Sequence, residues 1–244
     1  MMIAIQTTNL TKKFNTRVAV DSLNLSIEKG ELFALLGENG AGKTTTIKML
    51  CCLTAPTGGD AVLLGDSIIQ NPTAVKQKIN VSPQETAVAP NLSVKENLEL
   101  IAGIYGGDKQ KSHLKADEMM RDFGLTERAG DKAKNLSGGM QRRLSIAMAL
   151  ISDPEILFLD EPTLGLDVRA RRELWKKIKE LKGNKTIVLT THYLEEAEAL
   201  ADRIAIIHDG ALQALGTAQY LRELTGTTTL EDAFLQLSET EVSQ

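Results

Sequence analysis

Cysteine is close to absent from this 244-residue chain: Cys51 and Cys52 stand side by side, with no CxxC spacing and no histidine partner. That excludes a zinc ribbon or a dithiol redox centre and leaves two reduced thiols in or near a core. Long apolar runs are also missing, since none approaches the ~20 residues needed to span a bilayer. Residues 1–10 alternate polar and apolar without the basic segment and apolar core of a secretory signal, so the expectation is a protein made and kept in the cytosol. Nor is there an excess of positive charge. Lys and Arg number 28 against 32 Asp and Glu, a net charge of −4, so no overall field draws the chain to nucleic acid or acidic lipid. Aromatics make up only 4% of the residues, few enough to weigh one by one. With 42% hydrophobic and 25% charged residues the chain is an ordinary globular protein, long enough for one large α/β domain.

What is present is glycine in a particular place. Gly37-Glu-Asn-Gly-Ala-Gly-Lys-Thr-Thr45 follows the apolar run Leu32–Leu36 and precedes a helical pattern expected over Thr44 to Leu53. The spacing G-x-x-x-x-G-K-[ST] between a strand and a helix fits a phosphate cradle: glycines let backbone N–H groups turn inward, and the helix N-terminus adds partial positive charge. Gly37, Asn39, Gly40, Ala41, Gly42, Lys43, Thr44 and Thr45 are the expected phosphate-binding set. In it Lys43 reaches the β and γ phosphates, and the Thr44 hydroxyl takes one position on Mg²⁺. The expected ligand is a nucleoside triphosphate with magnesium.

Around that loop the pattern is α/β. Ile3 and Ile5, then Leu23, Leu25 and Ile27, alternate with polar residues as half-buried strands of an antiparallel edge. Between them Phe14 precedes the turn-like Asn15-Thr16-Arg17 and admits two readings, a core residue or a ring stacked on a nucleotide base. The Pro56–Gly59 turn and Ala61–Leu64 return the chain to the small sheet. Ile79–Ser82 is a short strand ended by Pro83, beyond which Gln84 either ligates magnesium or caps a loop, spacing alone favouring the loop. Ser93 with Glu96 forms a capping-box pattern, followed by an apolar face of Val94, Leu98, Ile101 and Tyr105. A second amphipathic piece carries Leu114, Met120 and Phe123. Residues 88–152 therefore read as a helical lobe inserted into the α/β core, with His113 solvated. The lobe ends on Ser137-Gly138-Gly139 before an apolar stripe of Leu144, Ala147, Met148 and Ile151. This is either an N-cap with flexible glycines or a second anion site.

Ile156–Leu159 is a buried strand ending in Asp160-Glu161, where open parallel sheets bind ligands. Because successive strand residues point to opposite sides, the two carboxylates take different tasks: Asp160 holds magnesium, while Glu161 acts as general base on a water facing the γ phosphate. Asp167 opens a helix whose Arg169, Arg171, Arg172, Lys176 and Lys177 read as a solvated face. Thr186–Thr191 is a further buried strand, and His192 at its exit either bonds a γ phosphate or is a satisfied loop histidine. Asp209-Gly210 between Ile204–Ile207 and Ala211–Leu215 is a hairpin signal, with His208 beside it exposed.

Taken in order, these stretches resemble the ATP-binding cassette of ABC transporters over essentially the whole chain: Gly37–Thr45 as Walker A, Gln84 as the Q-loop, Leu136–Met140 as the signature, Ile156–Glu161 as Walker B, Asp167 as the D-loop and His192 as the H-loop. The resemblance implies a P-loop NTPase (RecA-like) parallel-sheet core with an antiparallel β subdomain over 1–87 and 153–244. The inserted helical lobe would cover 88–152. It makes Gln84, Ser137, Gly138, Gly139, Asp167 and His192 site residues, and Phe14 the adenine-stacking aromatic. It further implies head-to-tail pairing with a second copy or a similar cassette, so that Lys43 of one and Ser137–Gly139 of the other close on one ATP. The other implied partner is a separately encoded transmembrane permease, docked near Gln84 to Tyr105 on the inner face of the membrane; nucleic acid is not expected. Met140, Gly165 and Leu230–Leu237 resemble the short ATPase subunits of multicomponent exporters of drugs, sodium, lipids or polysaccharides. Met140, Phe14 and Gly165 depart from the commoner residues of the wider family. A soluble cassette ATPase of DNA repair or translation lacks its usual coiled-coil insertion or second cassette here, and a small-molecule P-loop kinase leaves Leu136–Met140 and His192 without a role.

Overall fold

The computed structural model describes residues 2–239; the expected limits at 1 and 244 lie outside the described residues. In chain order the elements are β1 (Ile3–Phe14), β2 (Arg17–Leu23), β3 (Ser26–Glu28), β4 (Leu32–Leu36), α1 (Lys43–Leu50), β5 (Gly58–Leu63), β6 (Asp66–Ser67), α2 (Pro72–Lys78) and β7 (Ile79–Ser82). They continue as α3 (Val94–Ile104), α4 (Lys109–Asp122), α5 (Gly138–Leu150), β8 (Ile156–Asp160), α6 (Val168–Leu181), β9 (Thr186–Thr191), α7 (Leu194–Leu200), β10 (Arg203–His208), β11 (Ala211–Gly216), α8 (Ala218–Thr225) and α9 (Leu230–Glu239).

The small sheet is antiparallel. Strand β1 pairs with β2, β3 and β5, and β6 continues from β5. Its inner face carries Ile5, Leu10, Val20, Leu23 and Ile27, all fully or nearly fully buried. Ile3 does not join them: it is exposed, because the ladder slips between Ile3 and Ile5 and turns Ala4 inward instead. The alternating stretch Leu23–Ile27, expected as one strand, is two. The backbone turns left-handed at Ser22, and the Thr7 hydroxyl fills the gap between β2 and β3 by donating to the Leu23 carbonyl and accepting from Leu25 N–H.

The large sheet runs β11-β10-β4-β9-β8-β7, parallel except for β11, which the Asp209-Gly210 turn returns antiparallel to β10. Every residue of β4, β8 and β9 is buried, as strands covered on both faces require. Phe33, Leu35, Phe158 and Val188 pack one face against α1 and the small sheet. Leu36, Leu157, Leu159 and Leu189 pack the other against α6, α7 and α9, and the same core runs on without a break into Leu98, Met120, Leu144 and Ala147 of the lobe.

Helix ends follow local chemistry. The Ser93–Glu96 capping box forms in full. Helix α1 stops at Leu50 rather than Leu53, since Cys52 is left-handed at φ 55°. Cys51 is buried beneath it, which pushes its thiol well above the usual pKa. In α4 the inward stripe is Ser112, Ala116 and Met120, leaving Leu114 exposed; small residues on the inner face hid it from an apolar count. Among the described residues no helix is long and apolar enough to cross a membrane.

The consequence for the site is positional. Gly37, Glu161 and His192 each follow the last residue of a central parallel strand, with Leu36 opposite Thr191 and Asp160 opposite Thr190 in register. Three motifs distant in sequence meet at one sheet edge.

Candidate active site

The loop after β4 is crowded from behind. A Cβ on Gly37 would come within 2.3 Å of the Ile207 carbonyl oxygen, and one on Gly42, at φ +102°, within 2.3 Å of the Ala19 carbonyl oxygen. Only glycine lets the backbone bend round a phosphate here. Lys43, 5% exposed, donates from Nζ to the carbonyls of Gly37 at 2.8 Å and Glu38 at 3.1 Å. The same ammonium lies 3.3 Å from Glu161 Oε1.

The two carboxylates meet the loop by different atoms. Asp160 Oδ1 accepts from the Thr44 hydroxyl at 3.1 Å and from the Thr190 hydroxyl at 2.5 Å. Glu161 Oε2 lies 2.9 Å from His192 Nδ1. The expectation that these acids face opposite sides is corrected: β8 ends at Asp160 and Glu161 is left-handed at φ 47°, so strand alternation does not extend to it and both carboxylates lie over the phosphate loop. Their partners differ: hydroxyls for Asp160, Lys43 and His192 for Glu161. The Glu161 N–H donates to Thr190 Oγ1 at 3.0 Å, fixing that backbone conformation.

A cleft of about 560 Å³ opens above. Of the expected residues it is lined by Phe14, Asn39, Gly40, Gly42, Lys43, Thr44, Thr45, Gln84 and Glu161. Arg17 and Ala19, which the sequence did not single out, complete it, and Arg17 donates to the Gly40 carbonyl at 3.4 Å. Phe14 is half exposed at the rim, so the core reading is set aside. The Lys12 ammonium sits 5.0 Å from the centre of its ring and makes it part of a positively charged wall. Gly37 and Ala41 lie behind the cleft: Gly37 N–H points to the Thr191 carbonyl, and the Ala41 carbonyl accepts from Gly210 N–H at 3.1 Å.

Besides Gly37 and Ala41, six expected residues stand outside the cleft lining: Asp160 and His192 touch it through Thr44 and Glu161, whereas Ser137, Gly138, Gly139 and Asp167 stand at the starts of α5 and α6. Ser137 is the N-cap of α5, its hydroxyl accepting from Met140 N–H at 3.3 Å. Ser137 and Gly138 are exposed, and Gly139 rests near Ala170. Asp167 is the exposed N-cap of α6, accepting from Ala170 N–H at 2.9 Å. The phosphate loop and the Ser137 stretch therefore occupy separate surfaces.

Two buried charges near the site were missed. Arg142 on α5 reaches beneath the cleft to the carbonyls at the ends of β7 and β8. Glu196 on α7 accepts from Trp175 Nε1 at 3.0 Å, and burial raises its pKa above the ordinary carboxylate range. The hydroxyls of Thr191 and Thr163 lie near enough to oppose that shift, yet no hydrogen bond closes on Glu196 Oε2.

A protein-family model described as ABC transporter matches residues 20–164, more than half of the chain. The chain belongs to the ABC transporter family. Among curated relatives, the cassette is 41% identical over 228 residues to the daunorubicin/doxorubicin resistance ATP-binding protein DrrA of Streptomyces peucetius, covering 93% of this chain and 69% of that protein. It is 40% identical over 216 residues to the Nod factor export ATP-binding protein I of Burkholderia lata, covering 88% and 71%. Among solved structures, it superposes on a dimeric ATP-binding cassette in a post-hydrolysis state with ADP and phosphate, at a TM-score of 0.79 and 29% identity over 87% of this chain and 98% of that one. As a family member the cassette is an ATPase built on the P-loop α/β fold.

Proposed function

We propose that this cassette is the energy-supplying subunit of an exporter, closing head to tail with a second copy or a similar cassette on ATP and driving a separately encoded permease from the inner face of the membrane. The observation that carries the reading is the Glu161 carboxylate, 5% exposed and set between Lys43 and His192 at the mouth of the phosphate loop. A buried carboxylate beside a phosphate cradle is suited to take a proton from attacking water. The names of the two relatives, a drug-resistance and a Nod factor export protein, support export; the dimeric state of the solved neighbour supports pairing.

In this reading Lys43 and the loop amides grip the β and γ phosphates, and His192 orients Glu161 and bonds the γ phosphate. Phe14 stacks on adenine with Arg17 beside it. Ser137, Gly138 and Gly139 close on the nucleotide of the other cassette from a helix N-terminus, and Asp167 borders the same junction. The donors for magnesium fit a hard cation: the Thr44 hydroxyl and Asp160 carboxylate touch, with the Gln84 amide on the same wall. These residues would hold the ion, which would supply charge neutralisation on the phosphates. The permease docks beside the lobe, where Leu53 and Tyr105 line a shallow cleft with Ile79 and Val81.

Glu161→Gln tests the assignment. Hydrolysis falls by roughly 10²–10⁴-fold, ATP is retained, and an ATP-dependent dimer accumulates on size-exclusion chromatography. Turnover equal to the parent's removes Glu161 as the base, and a parent with no ATPase activity removes the whole reading.

A further inference from the structure

In α5, a helix of 13 residues, Ser137 caps the exposed start, and Arg142, five residues on, lies in the second turn. Arg142 is 4% exposed. Its guanidinium donates to five main-chain carbonyls rather than to a carboxylate. Two lie at the exit of β7, Pro83 at 2.5 Å and Gln84 at 3.3 Å; three lie at the exit of β8, Asp160 at 2.6 Å, Glu161 at 2.7 Å and Pro162 at 2.8 Å. Burial pulls the guanidinium pKa down to about 10, against the support of Asp160, Glu196 and Glu161. A charge held at that cost against carbonyls fixes backbone rather than neutralising an acid.

We propose that Arg142 is a positioning residue, locking the left-handed peptide of Glu161 and the start of the Gln84 loop to the helix that carries Ser137. The peptide groups on both sides of Glu161 are pinned, by Thr190 at its N–H and by Arg142 at its carbonyl. Any tilt of α5 produced by contact at Ser137 therefore reaches Glu161 and Gln84 of the same chain through one planar group. This rests on Glu161 being the base, as proposed above.

The test is the division between turnover and binding in Arg142→Lys and Arg142→Met. Lysine keeps the charge but cannot fork across five carbonyls. With positioning, kcat falls about tenfold or more in both variants while KM and the ATP Kd of the isolated subunit stay within about twofold of the parent, and Arg142→Lys retains more turnover than Arg142→Met. A kcat within twofold of the parent overturns the proposal, as does loss of ATP affinity in step with kcat and a lowered melting temperature. If Arg142→Met does not fold, Arg142→Lys decides alone on the same two ratios. Glu161→Gln at parental turnover would instead overturn the reading beneath it.

Discussion

Two of the glycine-rich stretches, Gly37–Gly42 and Gly138-Gly139, use glycine for opposite reasons. At Gly37 and Gly42 a side chain would strike carbonyl oxygens of the same chain at 2.3 Å; the loop is pressed from behind and its polar groups are answered by Asp160, Glu161 and Thr191. At Gly138 a side chain would meet nothing within 4 Å, and the Ser137 hydroxyl is engaged only at the start of its own helix. The first stretch is closed by its own chain. Among the described residues the second is left bare at Ser137 and Gly138, which supports the proposal that it closes on a second cassette.

That contrast is broken most directly at Ser137. Ser137→Arg should leave ATP affinity of the isolated subunit unchanged while lowering ATPase turnover by about 10²-fold and abolishing the ATP-driven dimer; normal dimerisation in this variant would sink the idea of a shared site. Gly42→Ala attacks the other side. It forces a Cβ onto the Ala19 carbonyl at a left-handed position and should cost about 2 kcal/mol of stability, seen as a lower melting temperature, together with ATP affinity. A smaller effect is expected for Phe14→Ala, a rise in ATP Kd worth about 1 kcal/mol with kcat little changed, measurable by isothermal titration.

The smallest probes burial under the cleft. Because burial raises the Glu196 pKa above its ordinary 4.5, the folded state favours the protonated acid: that stability is present below the ordinary pKa and lost as pH rises through the folded value. Glu196→Gln should therefore melt at or slightly above the parent at neutral pH, by on the order of 1 kcal/mol or less, with the difference closing as pH falls toward 4.5.

Much of this site could be read before any coordinates because its chemistry sits on residues whose type is restricted. Gly37–Thr45 needs glycines and a lysine, Asp160-Glu161 needs carboxylates at a strand exit, and the apolar runs Leu32–Leu36 and Ile156–Leu159 announced buried strands of the parallel sheet. The small-sheet register was less legible, since the slip at Ile3 depends on hydrogen bonding between strands. Arg142 stayed hidden for a related reason. Its partners are main-chain carbonyls, which every residue supplies, so nothing in the sequence separates it from the neighbouring Arg143, which pairs with Glu173. The orientation of Glu161 was misjudged because a rule for strands was carried one residue past the end of a strand.

The turn at Asp209-Gly210 closes the back of the phosphate loop: Gly210 N–H donates to the Ala41 carbonyl and the Gly210 carbonyl accepts from Asp21 N–H, while Gly37 lies against Ile207. During synthesis the loop emerges some 170 residues before that turn. A ribosome-bound chain that has not yet exposed Gly210 holds the whole Gly37–Thr45 motif and its Ala19 backing but lacks the Ile207–Gly210 side, so the back of the loop is completed only late in synthesis.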